Sequence, residues 1–140
     1  MESGVLTMVV RVMVVEDHQP FRRFICSTLD TQEHLQVIDE VDNGLQAVLQ
    51  AKVSQPDLIV LDIGLPGLNG IEAARRILHL VPEAKIVFLS QESSADVVHE
   101  ALRTGALGYV IKTRAQDELL DAIETVLQGK QFVSNGLDHS

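Results

Sequence analysis

Three carboxylates, one hydroxyl and one lysine stand out because each closes, or directly follows, a short apolar run. Glu16 and Asp17 follow "MVVRVMVV", Asp62 ends "DLIVLD", Ser90 ends "KIVFLS", and Lys112 follows "LGYVI". An apolar run that stops on a charge places that charge at the rim of a buried element rather than on a solvated face. If the carboxylates meet there, each pair about 4 Å apart costs on the order of 4 kcal/mol at an effective dielectric near 20. Such a pocket asks for positive charge. Hard carboxylate oxygens without a His or Cys cluster suit Mg2+ or Mn2+, and Mg2+ takes one or two carboxylates and completes its shell with water and phosphate oxygens. Lys112 supplies a second positive charge for a carboxylate or an arriving anion.

The elements that must position these groups follow from hydropathy. Apolar runs at 8–15, 35–41, 57–62, 85–90 and 107–111 alternate with segments whose apolar residues recur at helical spacing, such as Ile71, Ala74, Leu78 and Val81. Four runs show little alternation, as strands buried on both faces of a parallel sheet do; the run at 35–41, with Asp39 and Glu40 inside it, reads as an edge strand. Asn43, Asn69 and Ser93 are placed to cap helices, Thr113 with Gln116 makes a capping box, and Gly105 sits where a helix end wants a left-handed residue. Five strand–helix units joined by right-handed crossovers give an open α/β sheet with helices on both faces. Ligands of such sheets gather at the carboxyl ends of the strands, where Glu16, Asp17, Asp62, Ser90 and Lys112 all fall.

Taken singly, each residue has a plainer reading. Glu16 and Asp17 favour a helix N-terminus, Asp62 and "LPGLNG" are turn chemistry, and a lone lysine is a surface lysine. Their coincidence at strand ends is what argues for a site. Tyr109 is left as either a packing residue or a moving part, and His18 as a residue at a helix start rather than a ligand. No Gly-Lys-Ser/Thr follows the glycines at 64–70, so a phosphate-cradling nucleotide loop is not expected.

Composition bounds the classes. The 140 residues fit one domain, divided into an N-terminal extension at 1–8, a folded unit at 9–128 and a tail or linker start at 129–140. A net charge of −9 repels polyanions, so this segment is expected to bind neither nucleic acid nor an anionic membrane. The single cysteine, Cys26, makes no internal disulfide, which fits a reducing, cytoplasmic setting; no export or membrane-spanning segment is read.

The ordered set "VVEDH" (Glu16, Asp17), "LDIGLPGLNG" (Asp62, Pro66, Gly70), "FLS" (Ser90) and "GYVIK" (Tyr109, Lys112) resembles the receiver domain of two-component response regulators, over about residues 9–128. The resemblance implies a flavodoxin-like (βα)5 fold, a five-stranded parallel sheet of order 2-1-3-4-5. It implies that Asp62 is the phosphoacceptor, taking a phosphoryl group from a sensor histidine kinase or phosphotransfer protein. Mg2+ would be held by Asp17, Asp62 and the Gly64 backbone carbonyl, with Glu16 acting nearby, partly through water. Lys112 and Ser90 would contact the phosphoryl oxygens, and Ser90 with Tyr109 would form the switch. The face of the fourth helix, fifth strand and fifth helix would carry output to a following domain or partner, with dimer formation on phosphorylation an option. The protein is then a switch and not an enzyme.

Four positions depart from the family pattern. Thr113 stands where many receivers have proline, Glu16 where Asp is commoner, and Gly64 and Glu92 occupy positions that tune dephosphorylation in the family. An aspartate-nucleophile phosphohydrolase remains as an alternative, although such enzymes carry a second Asp where this chain has Gly64; a phosphorylation-independent interaction module is another. The stretch "GKQFVSNGL" resembles the approach to the linker of LuxR-type transcriptional regulators, which points to control of transcription.

Overall fold

The computed structural model describes residues 8–137. Most of the expected extension at 1–8, and the last three residues of the expected tail, lie outside the described residues. Strands β1 (Val10–Val15), β2 (Leu35–Val41), β3 (Leu58–Asp62), β4 (Lys85–Ser90) and β5 (Gly108–Ile111) alternate with helices α1 (Gln19–Asp30), α2 (Gly44–Ser54), α3 (Gly70–Leu80), α4 (Ala95–Arg103) and α5 (Ala115–Leu127). All strand pairs are parallel. The expected order 2-1-3-4-5 is present, and a short sixth strand, β6 (Phe132–Val133), is added beyond β5.

Side-chain alternation splits the core into two layers. Val12, Val14, Leu58, Val60, Val87 and Val110 face α1 and α5, through Ile25, Leu29, Leu119 and Ile123. Met13, Val15, Ile59, Leu61, Phe88 and Tyr109 face α2, α3 and α4, through Ala47, Ala51, Ile77 and Val98. Every residue of β3 is buried, which explains its unbroken apolar sequence. β2 is indeed an edge strand, and its Asp39 is spent locally on Gln50 and Ser54 of α2.

The punctuation is close to that expected, with two differences. Asn43 and Asn69 cap α2 and α3 by accepting from the Gln46 and Glu72 amides, and Gly105 follows α4 at φ +104°. α4 is capped by Ser94, not Ser93, because the loop runs one residue further before turning. Thr113 makes no capping box: Lys112–Arg114 form a single 3-10 turn that continues directly into α5, leaving no extended residue to act as cap.

Candidate functional site

Strand register brings the acidic residues together. Val15 of β1 opposes Leu61 of β3, so the next residues, Glu16 and Asp62, fall side by side at the carboxyl rim. Asp62 in turn opposes Leu89, and Ser90 opposes Ile111, which sets Lys112 at the same rim one residue on. One side-chain oxygen each from Glu16, Asp17 and Asp62 lie within 4.8 Å of one another. Glu16 is wholly buried and Asp62 is 4% exposed, whereas Asp17 is exposed.

Lys112 closes this cluster. Its Nζ lies 2.8 Å from Glu16 Oε1 and 3.2 Å from Asp62 Oδ2. Glu16 Oε1 is buried and paired with the Lys112 ammonium, while Oε2 accepts the His18 amide at 3.0 Å. Burial pushes the Glu16 carboxyl above its ordinary value, partly offset by the hydrogen bond from Lys112. The ammonium of Lys112 is held charged in spite of its own desolvation, because Glu16 and Asp62 raise its pKa more than burial lowers it. One cation thus faces three carboxylates.

Two glycines let the backbone bring this rim together. A Cβ at Gly70 would lie 2.2 Å from the Asp62 carbonyl oxygen and 2.7 Å from Ile63 Cα, so only glycine lets α3 start against the end of β3. A Cβ at Gly44 would lie 2.0 Å from the Leu68 carbonyl oxygen, which makes the same demand where α2 meets the β3–α3 loop. Gly64 is different: the nearest atom to a Cβ there is Asp62 Oδ1 at 3.8 Å, and its amide donates to that oxygen at 3.0 Å.

Ser90 and Tyr109 form a linked pair beside the cluster. Ser90 Oγ accepts the Glu92 amide at 2.9 Å, and the Tyr109 hydroxyl donates to the Glu92 carbonyl at 2.7 Å. Tyr109 has no exposed surface, so it is a packing residue in this state, and burial raises its hydroxyl pKa. Glu16, Asp17, Asp62, Gly64, Ser90 and Lys112, but not Tyr109, line one open cleft of about 720 Å3, together with Pro20, Phe21 and Phe24 of α1, Glu92 and Thr113. Phe21 stacks on Phe24 with centroids 5.5 Å apart and lies under the Lys112 ammonium, 4.9 Å from its Nζ. Both rings are partly buried against the core layer of α1 and α5 and also reach the rim. Their position four and seven residues after Asp17, on the first turns of α1, is the signal that would have put them at the rim. His18 also lines the cleft, but its backbone rather than its ring touches Glu16.

The family model of the response regulator receiver domain matches residues 12–124. The chain belongs to that family. Among curated relatives, the receiver is 30% identical over 131 residues to the transcriptional regulatory protein DegU of Brevibacillus brevis, covering 94% of this chain and 56% of the relative. It is 32% identical over 121 residues to the transcriptional regulatory protein LiaR of Bacillus subtilis, covering 86% and 57%. A two-component response regulator of the LuxR family from Aurantimonas sp. SI85-9A1 superposes with a TM-score of 0.86 at 31% identity, over 91% of each chain. The response regulator domain of Thermotoga maritima CheB gives 0.79 at 31%, over 86% of this chain and 97% of that one. The receiver spans a little over half the length of these curated relatives, which are transcriptional regulators. Among the described residues, no helix is long and apolar enough to cross a membrane.

Proposed function

We propose that Asp62 is the phosphoacceptor of this receiver. The observation that carries the reading is that Asp62, nearly buried at the end of β3, meets Glu16, Asp17 and the Lys112 ammonium in one cleft. An Asp62 oxygen attacks the phosphorus of a phosphohistidine on a sensor kinase or phosphotransfer protein; the P–N bond breaks and the imidazole leaves. Phosphoryl transfer asks a protein mainly for positioning and for neutralisation of charge on the equatorial oxygens. Lys112 supplies one such charge, and Ser90 a hydroxyl that turns from the Glu92 amide to a phosphoryl oxygen.

The residues present fit a divalent metal: three carboxylates within reach of one ion, and hard oxygen donors with neither His nor Cys among them. Asp17, Asp62 and the Gly64 carbonyl would hold Mg2+, or Mn2+, with Glu16 nearby. When bound, the ion neutralises charge on the transferring group.

The assignment of residues 9–128 as the receiver unit and 129–140 as tail or linker start belongs to the same proposal. So do a cytoplasmic location, a switch role without turnover, and output through the face of α4, β5 and α5. That output is control of transcription by a following domain, with dimer formation on phosphorylation as its means. Incubation with Mg2+ and acetyl phosphate followed by intact-mass measurement tests the reading. One phosphoryl group per chain, absent in Asp62→Asn, is expected; equal uptake by the variant, or steady turnover of many phosphate esters, would overturn it.

A further inference from the structure

The sixth strand is tied to the site through the two ends of one tripeptide. The Phe132 amide donates to the Leu107 carbonyl and the Ser134 amide to the Tyr109 carbonyl, both at 2.9 Å, so residues 132–134 cover what would otherwise be the bare edge of β5. Ser134 is 2% exposed. Its Oγ accepts the Ile111 amide at 2.9 Å and donates to Glu118 Oε1 on α5 at 2.5 Å, while Glu118 Oε2 accepts the Asn135 amide at 3.3 Å. Glu118 also pairs with Arg114 at 3.6 Å. Val133 and Leu137 pack on the layer of α2, α3 and α4, and Phe132 on the layer of α1 and α5, so the segment straddles the sheet edge.

Ser134 therefore holds Tyr109 by its carbonyl and Ile111 by its amide. Ile111 adjoins the candidate phosphoryl site in sequence, and Tyr109 reaches it through two hydrogen bonds. Tyr109 is joined through its hydroxyl to the Glu92 carbonyl, and the Glu92 amide to Ser90 Oγ. Ile111 precedes Lys112, whose ammonium contacts Glu16 and Asp62. A phosphoryl group on Asp62 adds roughly −1.5 to −2 charge and three strong acceptors. Such a group competes with Glu16 for the Lys112 ammonium and offers an acceptor to the Ser90 hydroxyl, the two side chains through which the anchors of Ser134 connect to the site.

We propose that residues 130–137 form a strap latched by Ser134 on Glu118, and that phosphorylation of Asp62 opens it. The inference rests on the phosphoacceptor reading above. In the latched state the strap completes the sheet; in the open state the edge of β5 and the Glu118 carboxylate are bared.

Hydrogen exchange on the full chain, read by mass spectrometry, tests this with and without Mg2+ and acetyl phosphate, uptake of the phosphoryl group being followed on the same samples. Exchange within 130–137 is expected to rise about tenfold on phosphorylation, the loss of one to two hydrogen bonds, and to stay unchanged in Asp62→Asn. Ser134→Ala is expected to exchange at the faster rate without phosphorylation. If a phosphoryl group is taken up and exchange in 130–137 does not change, the strap proposal falls while the phosphoacceptor reading stands. If none is taken up, both fall. If Ser134→Ala leaves the segment as protected as in the native chain, Ser134 is not the latch.

Discussion

Replacing Lys112 by methionine removes the cation and keeps a stem of similar length over Phe21. In the native chain the ammonium lies 2.8 Å from Glu16 and 3.2 Å from Asp62, and the Glu16 carboxylate has no exposed surface. Removing one partner of a buried pair costs about 3–5 kcal/mol, because the remaining charge stays desolvated; in a domain of this size that lowers Tm by roughly 10–20 °C. The pH dependence has a definite sign. Burial raises the Glu16 pKa in the folded chain, so between the unfolded value of 4.5 and the raised folded value the native state binds more protons than the unfolded one. Glu16 therefore contributes stability that is complete below 4.5 and is lost as pH rises through the folded value. In Lys112→Met the lowering effect of the ammonium is gone, the window extends upward, and acidification from pH 7 to 5 recovers part of the lost Tm. Added Mg2+ recovers part of it too, by binding the folded state. Thermal unfolding at pH 5 and 7, with and without Mg2+, is the assay. A variant within about 1 kcal/mol of the native chain at pH 7, and indifferent to both pH and Mg2+, would refute the claim that Lys112 compensates a buried anionic pocket.

Gly70→Ala forces a Cβ to 2.2 Å from the Asp62 carbonyl oxygen and is expected to cost about 3 kcal/mol or more in denaturant unfolding, with loss of phosphoryl uptake. Gly64→Ala meets nothing nearer than 3.8 Å and is expected to stay within about 0.5 kcal/mol, so equal costs at the two positions would contradict the packing described. Cys26 is pushed up to about 11 by burial and by Glu40, from an ordinary 9.0, so at pH 8 its alkylation by iodoacetamide is expected to run about a hundredfold slower than that of a solvated thiol. A rate equal to that of glutathione would show the thiol to be exposed.

The strand ends were legible in the sequence because they break a pattern. Four of the five apolar runs stop on Asp62 or Ser90 or just before Glu16 or Lys112, and parallel pairing of the runs then leaves few arrangements. Asn43 and Asn69 were readable as caps because each acts on an amide three residues away, a local event. What was not legible depends on contacts between distant segments. Glu118 reads as an acid in the first turn of a helix, and Ser134 lies in a polar, small-residue stretch; only the fold places one against the other, sixteen residues apart. The apolar pair Phe132–Val133, following Gly129 at φ +81°, was the available hint of a sixth strand. Phe21 and Phe24 pack on the core and line the cleft as well, and helical spacing alone cannot say that one end of an apolar stripe reaches a cleft.

Locating the phosphoryl group bears most directly on the central claim. Reduction of the phosphorylated chain with borohydride converts an aspartyl phosphate to homoserine, which peptide sequencing assigns to one position. Homoserine at position 62 alone is the predicted result. Homoserine at Asp17 or any other aspartate, the corresponding alcohol at a glutamate, or a phosphoryl group retained on a histidine or serine, would contradict it.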